Sequence, residues 1–202
     1  MRLFIALDLP REIRQTLAGF AFNLPGARWV PAQNMHITLR FIGETGRLQA
    51  EEIDHALAAI RAPGFPLTLA GAGWFEKGGR ASSLWIGVER NPALLHLQSK
   101  IETALRRIGL APERRRYAPH VTLARMDLPV GPRFAEFVQS HNLYRSPPIG
   151  VEHMILFSSQ LSADHPAYTA EVEYPLGAAA GRREDEREEA DVEEGRDEGD
   201  WR

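Results

Sequence analysis

Hydrophobic positions recur at two spacings along this chain of 202 residues, and the order of those spacings predicts an α+β fold. Arg2 to Asp8 alternates and then runs apolar, as a half-buried strand does. Pro10 opens a helix in which Ile13, Leu17, Phe20 and Phe22 recur at near-helical spacing up to the Pro25-Gly26 break. Residues 27–35 form a connecting segment that leads into a strand running from His36 to Gly43. The next helix spans about Leu48 to Arg61, with Ile53, Leu57 and Ile60 on one side and His55 on the solvated side. Pro66 to Glu76 and Ser83 to Glu89 read as hairpin strands, joined by a Gly78-Gly79 pair that supplies positive φ.

Asn91-Pro92 caps and starts a third helix, whose stripe of Leu94, Leu97, Ile101, Leu105 and Ile108 ends near Gly109, with His96 beside it. A second motif strand begins at His120, and Gly131 to His141 is a short helix with Phe134, Phe137 and Val138 inward. Ile149 to Phe157 and Tyr168 to Tyr174 form a closing antiparallel pair around a loop from Ser158 to Pro166.

Two of these strands carry the same phrase. His36-Ile37-Thr38-Leu39-Arg40-Phe41 and His120-Val121-Thr122-Leu123-Ala124-Arg125 stand 84 positions apart. A period of two points each His and its Thr to one face, and Ile37/Leu39 or Val121/Leu123 to the other. One His-x-Thr among seven histidines would carry little weight, but packing does not require His at the same offset twice. If the two halves pack face to face, their cleft holds two imidazoles and two hydroxyls, a set suited to acid-base chemistry at a phosphoryl group. His153 and His165 have no Thr two residues on and stand outside the repeat.

Composition narrows the chemistry further. The absence of cysteine excludes disulfides, thiolate nucleophiles and Cys-based metal clusters, and no His-x-x-x-His or other close-spaced ligand set suggests a metal site. With no secretory signal and no bilayer-spanning apolar run, the expectation is a soluble, cytoplasmic monomer without membrane contact. Residues 178–202 hold 11 acidic and 5 basic residues, which leaves 16 acidic and 19 basic in the rest, a net of +3. A mildly basic body permits a polyanionic substrate.

Glu113-Arg114-Arg115-Arg116-Tyr117 leads through Ala118-Pro119 into His120. A run of arginines on a loop is usually a solvated face, but here it adjoins the candidate phosphate site, with Tyr117 placed to stack on a base. Residues 1–176 are read as one domain of two lobes, and residues 177–202 as an acidic tail too polar to offset its ordering entropy, hence disordered.

With the doubled phrase, the Arg28-Trp29-Val30 lead-in, the Trp85-Ile86-Gly87-Val88 strand and the closing Leu156-Phe157-Ser158-Ser159-Gln160-Leu161 segment, the chain resembles the 2H phosphoesterase superfamily. Within it, the chain is most like the RNA 2′,3′-cyclic phosphodiesterases, also called 2′-5′ RNA ligases, of the LigT/ThpR type. The resemblance implies a bilobal fold in which two pseudo-symmetric antiparallel sheets face a central cleft, with helices outside. It makes His36 the proton donor, His120 the proton acceptor, and Thr38 and Thr122 the hydroxyls that hold the phosphate, with no metal and no cofactor.

Arg125 stands where the family has a phosphate-binding arginine. Strict alternation turns it away from His120, so that role requires a twist, bulge or strand end; Arg40, on the face of His36 by parity, is the alternative. Phe41 matches a residue that contacts the nucleobase, whereas parity gives it a core role equally well. Met126-Asp127 and Asp164-His165-Pro166 depart from the family pattern and bear on substrate preference more than on chemistry.

The implied reaction opens a 2′,3′-cyclic phosphate at an RNA end to a 2′-phosphomonoester, on tRNA fragments, oligonucleotides or small cyclic nucleotides. Its reversal, 2′-5′ ligation, would use the same residues. A non-catalytic RNA-end-binding protein would use the same cleft without turnover.

Overall fold

The computed structural model describes residues 1–160 and 166–177. In chain order its elements are β1 (Arg2–Leu7), α1 (Arg11–Ala18), β2 (Arg28–Trp29), a single 3-10 turn (Ala32–Asn34), β3 (Ile37–Glu44), α2 (Arg47–Ala58), β4 (Phe65–Leu67) and β5 (Leu69–Lys77). Then follow β6 (Arg80–Val88), α3 (Pro92–Arg107), β7 (His120–Pro129), α4 (Pro132–His141), β8 (Ile149–Val151), β9 (His153–Gln160) and β10 (Ala167–Pro175).

β1 buries every residue after Arg2, as a strand covered on both faces does, and it lies between β3 and β9, antiparallel to both. The pairing continues outward to give the order β10-β9-β1-β3-β7-β6-β5, with β2 also on β7, while β4 and β8 make a separate two-stranded sheet. This corrects the expectation of two facing sheets. The two motif strands, β3 and β7, meet edge to edge through the pair Ile37↔Val121, so the halves join into one eight-stranded sheet. Both paired residues are 0 % exposed, and this apolar contact joins the halves.

The helices follow their apolar stripes. Asn91 caps α3 by accepting the Leu94 N–H at 3.0 Å, and Leu94, Leu97, Ile101 and Leu105 are buried along it. The β5–β6 turn has Gly78 at φ +60° and Gly79 at φ +74°, the positive pair expected of a two-residue hairpin loop.

Four local readings change. α1 stops at Ala18, so Phe20 and Phe22 are not helical; Phe20 packs on Tyr144, and Phe22 on Trp29 and Phe137. Arg28–Trp29 is a strand within the expected connecting segment, and the strand expected over Pro66 to Glu76 is divided between two sheets. Gly177, assigned to the tail, is tied to the domain, accepting the Gly64 N–H and donating to the Ala62 carbonyl. The rest of the acidic tail, residues 178–202, and the 161–165 part of the closing loop lie outside the described residues. Among the described residues no helix is long and apolar enough to cross a membrane.

Candidate active site

The Ile37↔Val121 pair sets the geometry of the site. Residues flanking a paired position point to the face opposite it, and antiparallel register carries His36 toward Thr122 and Thr38 toward His120. Two buried apolar side chains thus hold two imidazoles and two hydroxyls on one face. His36 stands one residue before β3, and His120 opens β7.

Each motif then carries a bulge at its leucine. Against β1, Ala6 pairs with Thr38 and Ile5 with Arg40, so Leu39 is the extra residue. Against β6, Trp85 pairs with Thr122 and Leu84 with Ala124, so Leu123 is. An extra residue reverses the alternation beyond it. The fifth residue after each histidine, Phe41 or Arg125, returns to the histidine face, and the fourth, Arg40 or Ala124, turns away.

Parity alone had this reversed for both arginines. Arg125 is exposed on the cleft, while the Arg40 side chain is 9 % exposed and lies with its Nε 2.8 Å from Glu102 Oε1. The guanidinium of Arg40, offered as the alternative phosphate ligand, is already taken up by protein groups. Phe41, at 55 % exposure, is not a core residue.

Both imidazoles are held by the same device. His36 Nδ1–H donates to the Asn34 carbonyl at 2.8 Å, and His120 Nδ1–H donates to the Ala118 carbonyl at 2.7 Å, each two residues upstream. A carbonyl only accepts, so the proton sits on Nδ1 and leaves Nε2 as the reactive nitrogen. His36 Nε2 is 3.1 Å from Thr38 Oγ1. The Asn34 side chain reaches the Pro166 carbonyl at 2.8 Å, tying this segment to the approach to β10. Aromatic rings wall both histidines: Phe4 at 5.0 Å and Tyr168 at 5.4 Å from His36, and Phe75 edge-on at 4.9 Å from His120.

Burial lowers the pKa of both imidazoles. His36 is taken down to about 4, chiefly by desolvation and further by the Arg125 and His120 charges, against the opposing bond to Asn34. His120 is also lowered, by desolvation first and Arg125 second. Both are therefore neutral near pH 7 in the free protein. Nuclear magnetic resonance of the ring protons should show His36 uncharged down to about pH 4; titration near 6.5 would refute its desolvation.

The sign of the linked stability follows. The unfolded imidazole takes its proton near 6.5, so stability present above that pH is lost as the pH falls toward 4, by about 3 kcal/mol. His36→Gln should flatten that slope in denaturation series across the same window.

All eight residues singled out from the sequence border one cleft of about 870 Å³. Tyr117 does so with its ring packed against the core and its hydroxyl buried without a partner among the described residues, so burial raises its pKa. Asn34, Ala118, Phe75, Tyr168 and Arg28 also line the cleft and were missed in the sequence. Arg28 carried the one available signal, its place in the Arg28-Trp29-Val30 lead-in, and it pairs with Arg125 across β2 and β7. Asn34 and Ala118 act through backbone carbonyls, which no side chain announces. Among the described residues no three His, Asp or Glu side chains gather as metal ligands.

A family model described as LigT-like phosphoesterase matches the chain twice, over residues 7–85 and 86–168, with one histidine motif in each match. The RNA 2′,3′-cyclic phosphodiesterase of Thermotoga maritima is 30% identical over 176 residues, covering 83% of this chain and 91% of that protein. That of Escherichia coli K12 is 36% identical over 129 residues, covering 61% of this chain and 71% of its own. The crystal structure of E. coli LigT complexed with 3′-AMP aligns with a TM-score of 0.71 at 28% identity, over 87% of this chain and 97% of that one.

Proposed function

The chain belongs to the LigT-like phosphoesterase family, as a hydrolase of the RNA 2′,3′-cyclic phosphodiesterase type, and from that premise we propose that it opens RNA 2′,3′-cyclic phosphate ends to 2′-phosphomonoesters with His36 and His120 as its acid-base pair. One observation carries the reading: two imidazoles, each with Nδ1 tied to the carbonyl two residues upstream, flank a single apolar strand pair on one face. The recurrence of the bulge at Leu39 and Leu123, with two matches to one family model, supports pseudo-symmetric lobes within residues 1–176.

In this mechanism, water attacks phosphorus in line with the departing O3′. Neutral His120 takes the proton from water, and His36 gives one to O3′ as the P–O3′ bond breaks. Thr38, Thr122 and Arg125 hold the non-bridging oxygens, on which charge accumulates. A donor must be protonated, yet His36 is neutral in the free protein. The bound phosphodiester supplies the remedy, because an anion beside Nε2 raises the imidazole pKa.

The test is turnover of an oligoribonucleotide ending in a 2′,3′-cyclic phosphate, in excess EDTA, with the product isomer identified. A 2′-phosphate is the expected product. A 3′-phosphate would reverse the leaving-group assignment, and binding without turnover would favour an RNA-end-binding protein.

A further inference from the structure

Arg40, displaced from the phosphate by the bulge at Leu39, has contacts that exceed what a buried cation needs. Its Nε lies 2.8 Å from Glu102 Oε1 on α3, and Nη1 donates to the Phe41 carbonyl at 2.8 Å. Nη2 donates to the Ala111 carbonyl at 2.6 Å, and Nη1 lies 3.4 Å from Glu113 Oε2. Glu113 in turn accepts the Arg115 backbone N–H through Oε1 at 3.1 Å. One carboxylate would neutralise the charge. The contacts with Ala111 and Glu113 fasten residues 111–115, which have no helix or strand pairing of their own, to the strand that follows His36.

That segment carries Arg115 and Arg116, both exposed, both bordering the cleft, and neither with a carboxylate partner for its guanidinium among the described residues. The scissile phosphate already has Arg125 and two threonines. A mononucleoside cyclic phosphate offers no second anion for two more guanidinium groups, and at about 870 Å³ the cleft is near the upper end for a small ligand. Among RNA substrates, a continued strand supplies further phosphates.

We infer that the 111–117 loop is a subsite for the internucleotide phosphodiesters upstream of the cyclic end, with Arg115 and Arg116 as its ligands and Arg40 as the positioning residue that holds it in place. The inference rests on the proposed function. It makes the protein a reader of RNA strands rather than of free cyclic nucleotides. Guanidinium forks match phosphate oxygens, and a loop fixed beforehand loses little entropy when the strand arrives.

The experiment is steady-state kinetics of the full chain with two substrates, an oligoribonucleotide 2′,3′-cyclic phosphate and a mononucleoside 2′,3′-cyclic phosphate. Arg40→Met should raise KM for the oligonucleotide about tenfold at unchanged kcat, and leave both constants for the mononucleoside within about twofold. Glu113→Gln, at a 40 % exposed side chain, releases the loop without disturbing the buried pair and should act in the same direction should Arg40→Met fold poorly. Arg115→Gln with Arg116→Gln should raise the oligonucleotide KM and reduce the slope of log KM against log salt by about 0.7 for each phosphate left without its guanidinium. Equal effects on both substrates, or an unchanged salt slope, overturn the subsite. Wild-type protein that turns over neither substrate overturns the proposed function instead.

Discussion

Alanine in place of His120 is expected to lower turnover of an RNA 2′,3′-cyclic phosphate by about 10³-fold, and alanine in place of His36 by a similar factor, with oligonucleotide affinity kept within a few-fold. A positioned general acid or base contributes only at the transition state, so its removal appears in kcat rather than in binding. The two losses can be told apart by the leaving group. A phosphodiester with a p-nitrophenolate leaving group needs no protonation to depart, so His36→Ala should regain most of its activity on it, whereas His120→Ala should stay slow because water still has to lose a proton. Rescue of His120→Ala and not of His36→Ala would exchange the two roles. Loss of binding equal to the loss of rate in both variants would make the histidines phosphate ligands.

That experiment rests on residues legible in the sequence, and the reason is periodicity. His36, Thr38, His120 and Thr122 announce themselves by repeating at one offset in strands whose apolar positions are unambiguous. The third helix was equally plain, down to the Asn91 cap, whereas the first stops four residues short of Phe22. The bulges were not. Leu39 and Leu123 are ordinary core leucines, 2 % and 0 % exposed, with no glycine to mark a break in the ladder. Strict alternation therefore puts both Arg40 and Arg125 on the wrong face, and one kind of bulge, the irregularity that a phosphate role for Arg125 requires, accounts for both. The joining of two sheets into one escaped for another reason. It depends on one long-range pair, Ile37 with Val121, whose residues look like any other strand core.

Arg125→Gln is expected to cost about 10²-fold in kcat/KM and to move the whole pH–rate profile to higher pH. The first effect follows from the removal of a charge-assisted fork from the non-bridging oxygens. The second follows from the position of Arg125: its charge lowers the pKa of both His36 and His120, so neutralising it raises both, and each limb of a bell-shaped profile shifts in the alkaline direction. Arg125→Lys separates the two effects. The ammonium keeps the charge and loses the fork, so the profile should stay where it is in the wild type while the rate recovers only in part. A rate loss in Arg125→Gln without a shift of either limb would mean that the guanidinium holds the phosphate and leaves the imidazoles untouched. A shift with little rate loss would mean the converse, and would return the search for the phosphate ligand to Arg28, its partner across β2 and β7 on the same cleft.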